Sequence, residues 1–127
     1  MIIKVNTEKE TVTAIIANVR KQLRNTVAKV HPELVWMEEV TSIIDKIPDT
    51  CVGIAKCSAT DEWDEQTGVD IARNRAIRAH ARTRAKTMRK IRQFVARTLY
   101  SRLNTKILDA EATAWDCEDM LDACIGK

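Results

Sequence analysis

Acidic side chains are missing from a long central stretch of this chain. None occurs between Asp70 and Asp109, while Arg73, Arg75, Arg78, Arg82, Arg84, Lys86, Arg89, Lys90, Arg92, Arg97, Arg102 and Lys106 all fall within it. The chain holds 21 Lys+Arg and 18 Asp+Glu, so 9 basic residues face all 18 acidic ones outside that segment. A formal net charge of +3 therefore conceals a segment of +12 joined to flanks of −9. Segregation of this kind creates a field that reaches past pairwise contacts and can hold an anion or an acidic surface.

Glycine and proline are scarce as well, with three and two in 127 residues. So few turn formers mark an ordered, helix-leaning chain. Three glycines far apart, Gly53, Gly68 and Gly126, exclude a phosphate-cradling glycine loop. No apolar run approaches the ~20 residues of a membrane span, and the Met-Ile-Ile-Lys-Val-Asn start has no signal-peptide core. The expectation is a cytoplasmic protein that does not bind a membrane.

Catalytic and metal constellations are equally thin. His31 and His80 have no nucleophile or acid partner nearby in sequence. Asp61-Glu62-Trp63-Asp64-Glu65 lacks the alternating ligands and central Gly of a calcium loop, and reads as acids at a helix N-terminus. Cys51, Cys57, Cys117 and Cys124 are spaced too widely within each pair for a zinc site. Seven residues of helix separate the last two by about 10 Å, beyond disulfide reach. Four reduced, buried thiols are expected, with no cofactor, no metal and no enzyme activity.

The chain is long enough for one domain, 1–127, with a body over 1–66 and a helical part over 67–127. The fold expected is mainly α with a small β element (α+β). Thr7-Glu8-Lys9-Glu10 reads as a capping box, after which Val12, Ile15, Ile16, Val19, Leu23, Val27 and Val30 recur at helical spacing until His31-Pro32. Pro32 can open a second amphipathic helix carrying Trp36, Met37, Val40, Ile43, Ile44 and Ile47 on one side. Its β-branched content leaves a strand open. Cys51–Cys57 reads as a strand, paired with Ile2–Val5, and 58–66 as an acidic loop. Thr67 is expected to cap a helix from Gly68 to Leu103, about 54 Å long, with Ile77, Ala81, Ala85, Met88, Ile91, Val95, Leu99 and Leu103 as its core stripe. Asn104-Thr105 is a turn into an acidic C-terminal helix, Asp109 to Ile125.

On the long helix Arg75, Arg78, Arg82, Lys86, Arg89 and Arg97 share one face, as 100° per residue requires. Arg exceeds Lys nine to three there, a bias that suits planar, bidentate contacts to phosphate or carboxylate. Three readings stand open: a nucleic acid or nucleotide along the Arg row, an acidic partner such as the C-terminal helix or a host protein, and a solvated charged face. A solvated face normally mixes signs. Only five aromatics (Trp36, Trp63, Phe94, Tyr100 and Trp115) are available for base stacking, and no helix-turn-helix or zinc-finger spacing is visible. Contacts to nucleic acid would be to backbone phosphates. Arg73, Arg84, Arg92 and Arg102 lie near the apolar stripe and are expected to find carboxylates. A stripe running the full helix implies a homo-oligomer with Met88, Ile91, Val95 and Leu99 in or beside the contact.

Gly53-Ile-Ala-Lys-Cys57, then Asp61-Glu62-Trp63-Asp64, Gly68, Ile71-Ala72 and Arg75-Ala76, resembles a pattern of small phage and prophage proteins. The match covers about 25 residues. It implies a strand, loop and helix unit and a viral context, in the host cytoplasm, without carrying over any functional residue. In that setting two roles follow: an accessory protein that binds a phosphate-bearing ligand, or a counter-defence or host-takeover inhibitor or adaptor. The second would bind a host protein or sequester a signalling nucleotide, with the charge segregation used for assembly.

Overall fold

The computed structural model describes residues 1–58, 60 and 62–124. Strands β1 (Ile2–Asn6), β2 (Thr11–Ile16) and β3 (Cys51–Lys56) form an antiparallel sheet in the order β1-β2-β3. Helices α1 (Val19–Val30) and α2 (Glu38–Asp45) lie between β2 and β3 in sequence, joined by a short 3-10 turn at Pro32–Trp36. Helix α3 runs from Glu65 to Cys124. The α+β class holds. Two compact units are present, Met1–Ile91 and Arg92–Lys127, so the division falls inside α3 rather than at residue 66.

The expected first helix begins twelve residues late. Thr11-Val-Thr-Ala-Ile-Ile16 is a strand, its Val12 and Ala14 fully buried and Thr11 and Thr13 half-exposed. That is the two-residue period of a pleated surface built from β-branched residues. Thr7–Glu10 is the hairpin loop: the Asn6 side chain accepts the Lys9 N–H at 3.1 Å, and Glu10 takes the left-handed conformation at φ 49°. β2 is thus the partner of both β1 and β3, with Ile3, Ala14 and Gly53 in one row.

Helix α1 starts at Val19 because a residue far along the chain finishes its first turn. The Asp49 carboxylate accepts the Arg20 N–H at 3.2 Å, the Asp49 carbonyl accepts the Val19 N–H at 3.0 Å, and Arg20 Nε donates to the Ile47 carbonyl at 2.8 Å. Val19, Leu23 and Val27 then bury one face, and Met88 packs on the cluster of Val19, Leu23 and Cys51. The second expected helix is interrupted by extended backbone at Met37, which leaves Trp36 exposed instead of in the core.

The sheet's inner face meets α3 through small residues. Val12, Ala14, Ala55, Ala72 and Ala76 form one buried cluster, with Ile3, Ile16, Trp63 and Val69 packed around it. A Cβ on Gly53 would overlap the Ala72 carbonyl oxygen and the Ala76 nitrogen, and would lie 2.9 Å from the Arg75 carbonyl carbon. Backbone therefore rests on backbone here, which only glycine permits.

Candidate anion-binding face

Helix α3 begins one turn earlier than Thr67. Asp64 is its cap: one carboxylate oxygen accepts the Gln66 N–H at 3.1 Å and the other accepts the Thr67 hydroxyl at 2.7 Å. The Thr67 hydroxyl and backbone, with the Gln66 N–H, hold the Asp64 carboxyl below its ordinary value of 3.8. The helix then runs through Asn104-Thr105, where a turn was expected, so the acidic segment is a continuation of α3 and not a separate helix. Asp61 and Ile125 lie outside the described residues.

The buried face of α3 also differs from the expected stripe. Gly68, Ala72, Ala76, Thr87 and Ile91 are buried, with Ala79, His80 and Thr83 half-buried between them. Ile77, Leu99 and Leu103 are about half exposed or more, and Ala81 and Ala85 are exposed. Close backbone approach at Gly53 demands small side chains opposite it, so the inward face is written in Gly, Ala and Thr.

That orientation leaves Arg75, Arg78, Arg82, Lys86 and Arg89 exposed in the first unit. Arg75 Nη1 donates to the Ile54 carbonyl at 2.6 Å, fixing its guanidinium against the edge strand β3. Arg89 Nε reaches the Ala85 carbonyl at 3.3 Å. Arg97 belongs to the second unit and is exposed there. Among the described residues the one ion pair is Arg24–Asp45, so no carboxylate answers any cation of α3. Among the described residues Arg73, Arg84, Arg92 and Arg102 make no ion pair within the chain either. They are exposed, and an ammonium or guanidinium in water has no burial cost to offset.

Beside this row a groove of about 340 Å³ opens between the end of α2 and α3. Lys46 lines it from one side and Lys86 and Lys90 from the other, with Pro48, Thr83 and Thr87 between. No acid lines it. Thr87 donates its hydroxyl to the Thr83 carbonyl at 2.7 Å, and the Thr83 hydroxyl meets the Cys51 thiol at 4.0 Å. Three lysines and no acid give this concavity a positive potential, beside the apolar Ile43, Ile47 and Pro48 that also line it. Sequence reasoning placed Lys86 on the basic face but missed Lys46 and Lys90 as its neighbours. Lys46 is 40 residues away in the chain, and only the packing of α2 brings it near.

The four residues expected at a subunit contact separate. Met88 and Ile91 are used inside the first unit, Val95 is half-buried, and Leu99 is exposed. Cys51 is a buried free thiol as expected, whereas Cys117 is an exposed one. His80 Nε2 is buried without a hydrogen-bond partner. Among the described residues no helix is long and apolar enough to cross a membrane. Comparison with protein families, with characterised proteins and with solved structures finds no match.

The 53–76 stretch forms a strand, loop and helix unit. Gly53, Ala55, Ala72 and Ala76 make the strand–helix contact, Trp63 and Gly68 close its end near Val12, and Arg75 ties the helix to β3.

Proposed function

We propose that the chain is a non-catalytic protein that binds a phosphate-bearing ligand on the first unit's α3 surface. Nucleic acid is the favoured form. The observation that supports it is a row of five exposed cations, Arg75 to Arg89, with no carboxylate paired to them among the described residues. The row spans 14 residues, about 21 Å of helix, and so tracks a phosphate backbone rather than a single anion. The groove of Lys46, Lys86 and Lys90 adds a second cationic point on its flank. Backbone phosphates carry no base identity, so binding is weakly sequence-specific.

Titration with duplex DNA, RNA and a cyclic nucleotide over about 50 to 200 mM salt tests this, because neutralising about five duplex phosphates gives a slope of log K on log salt near −4.5. Replacing Arg78 and Arg82 with Glu is expected to abolish binding, and Lys46→Glu to weaken it. No binding to any of the three ligands, or affinity indifferent to salt, overturns the reading. Recovery of a stoichiometric acidic protein from nuclease-treated lysate, with no nucleic-acid binding, transfers the surface to a host protein partner.

A further inference from the structure

The second unit presents an apolar seam that the chain itself leaves uncovered. Ala96, Tyr100, Leu103, Ile107, Ala110, Ala114, Cys117 and Leu121 follow one another at alternating steps of 4 and 3. All eight are exposed, with Leu103 at 64% and Ile107 at 54%. None is charged. A strict seven-residue period of this kind winds helices around each other in a left-handed supercoil. A lone helix of such composition is marginal in water until that face is buried.

Side-chain size and charge together say what covers it. The large residues Tyr100, Leu103 and Ile107 occupy the first half of the seam, and the small Ala110, Ala114 and Cys117 most of the second. Charge divides at the same point. Arg92, Arg97, Arg102 and Lys106 precede Ile107, and Asp109, Glu111, Asp116, Glu118 and Asp119 follow it. A parallel pair would set Leu103 on Leu103 and Ala114 on Ala114, leaving voids at one end, and would lay the basic half along the basic half. An antiparallel pair reverses both faults.

We propose that this segment pairs antiparallel with the same segment of a second copy. The register places Ile107 opposite Ala110, Leu103 opposite Ala114, Tyr100 opposite Cys117 and Ala96 opposite Leu121. Every layer then joins a large residue to a small one and fills evenly. The same register sets Arg97 beside Glu118 and Asn104 beside Glu111 along one border. Leu99 meets Met120 and Lys106 meets Thr113 along the other. Both arginine–glutamate pairs form symmetrically, as an isologous two-fold contact requires. The surface lies outside the proposed anion-binding face, so either reading can fail while the other stands.

Sedimentation equilibrium of the full chain at low salt tests it. The wild type is expected as a dimer in the micromolar range, and Ile107→Asp as a monomer. Ile107 is exposed, so its loss leaves the first unit folded, which Trp63 fluorescence verifies. Arg97→Glu and Glu118→Arg are each expected to weaken the dimer roughly tenfold, since border charges set partner choice and orientation. The two combined in one chain restore it, because the exchanged charges again meet across the two-fold. A monomeric wild type, a trimer, a dimer unmoved by Ile107→Asp, or a double variant as weak as the singles overturns the proposal.

Discussion

Replacing Gly53 with alanine adds one methyl group at the point where β3 touches α3. The new Cβ would collide with the Ala72 carbonyl and the Ala76 nitrogen and stand 2.9 Å from the Arg75 carbonyl carbon. All three neighbours are helix backbone, which cannot swing aside as a side chain can. The strand must move off the helix by roughly 1 Å to regain ordinary contact, loosening Ala55, Ala72, Ala76 and Val12 together. Overpacking of a well-filled site costs about 1–3 kcal/mol, and a backbone neighbour puts this case at the upper end. With a urea slope near 2 kcal/mol/M, a loss of about 3 kcal/mol lowers the midpoint by roughly 1.5 M. Trp63 packs on this cluster, whereas Trp36 and Trp115 are exposed. Fluorescence of a Trp36→Phe/Trp115→Phe background therefore follows the contact itself. Val52→Ala, on the sheet's outer face, is the control and is expected to cost under about 1 kcal/mol. A Gly53→Ala chain within about 0.5 kcal/mol of its parent would refute the backbone contact.

Two further outcomes follow from the same packing. Asp64→Ala removes the cap of α3 and lowers the melting temperature at neutral pH. Hydrogen bonds from Thr67 and Gln66 hold the folded Asp64 below its ordinary 3.8, so its stabilisation is complete above that value and is lost as pH falls through the lower folded one. The gap between variant and wild type should thus narrow below about pH 4, and a gap that widens in acid contradicts the assignment. Leu23→Ala truncates a fully buried side chain between α1 and the Cys51–Met88 region, for an expected loss of about 3 kcal/mol in chemical denaturation.

The fold class and a strand at Cys51–Lys56 were legible from local pattern, although that strand pairs with Thr11–Ile16 and not with Ile2–Val5, and the helix runs past both ends expected for it. The hairpin was not legible. Thr11-Val-Thr-Ala-Ile-Ile16 has apolar residues at spacings compatible with either period, and the following helix residues Val19 and Leu23 extend the helical one. What decides for a strand is pairing with Lys56–Cys51, 35 to 45 residues on, which no local window contains. The face of α3 was misread for a different reason. A search for large apolar residues finds Ile77, Leu99 and Leu103, yet a helix seated directly on a glycine strand buries alanine and threonine. Gly53 was the available clue, since glycine inside a strand signals close approach of another backbone. The basic row does not depend on which apolar residues face inward, because it is read from charge alone. Lys46 could not be added to it before α2 was placed.

Charge also separates the two units by kind. Within α3 of the first unit, residues 65–91 carry eight basic side chains against Glu65 and Asp70, both at the helix start. Residues 92–121 carry four basic and five acidic ones, sorted to opposite ends. A row of one sign cannot neutralise itself by pairing with the same row of a copy, which is the property the proposed anion-binding reading uses. A segment with equal and opposite ends can neutralise itself by antiparallel pairing and needs nothing else. The two proposals thus assign the first unit a surface for an external anion and the second a seam for a copy of itself. Salt distinguishes them: about five released counterions make ligand affinity fall steeply with ionic strength, while a seam held by apolar layers loses only its border charges to screening. A dimer that persists at salt concentrations where DNA binding has disappeared is the combined result these two surfaces require.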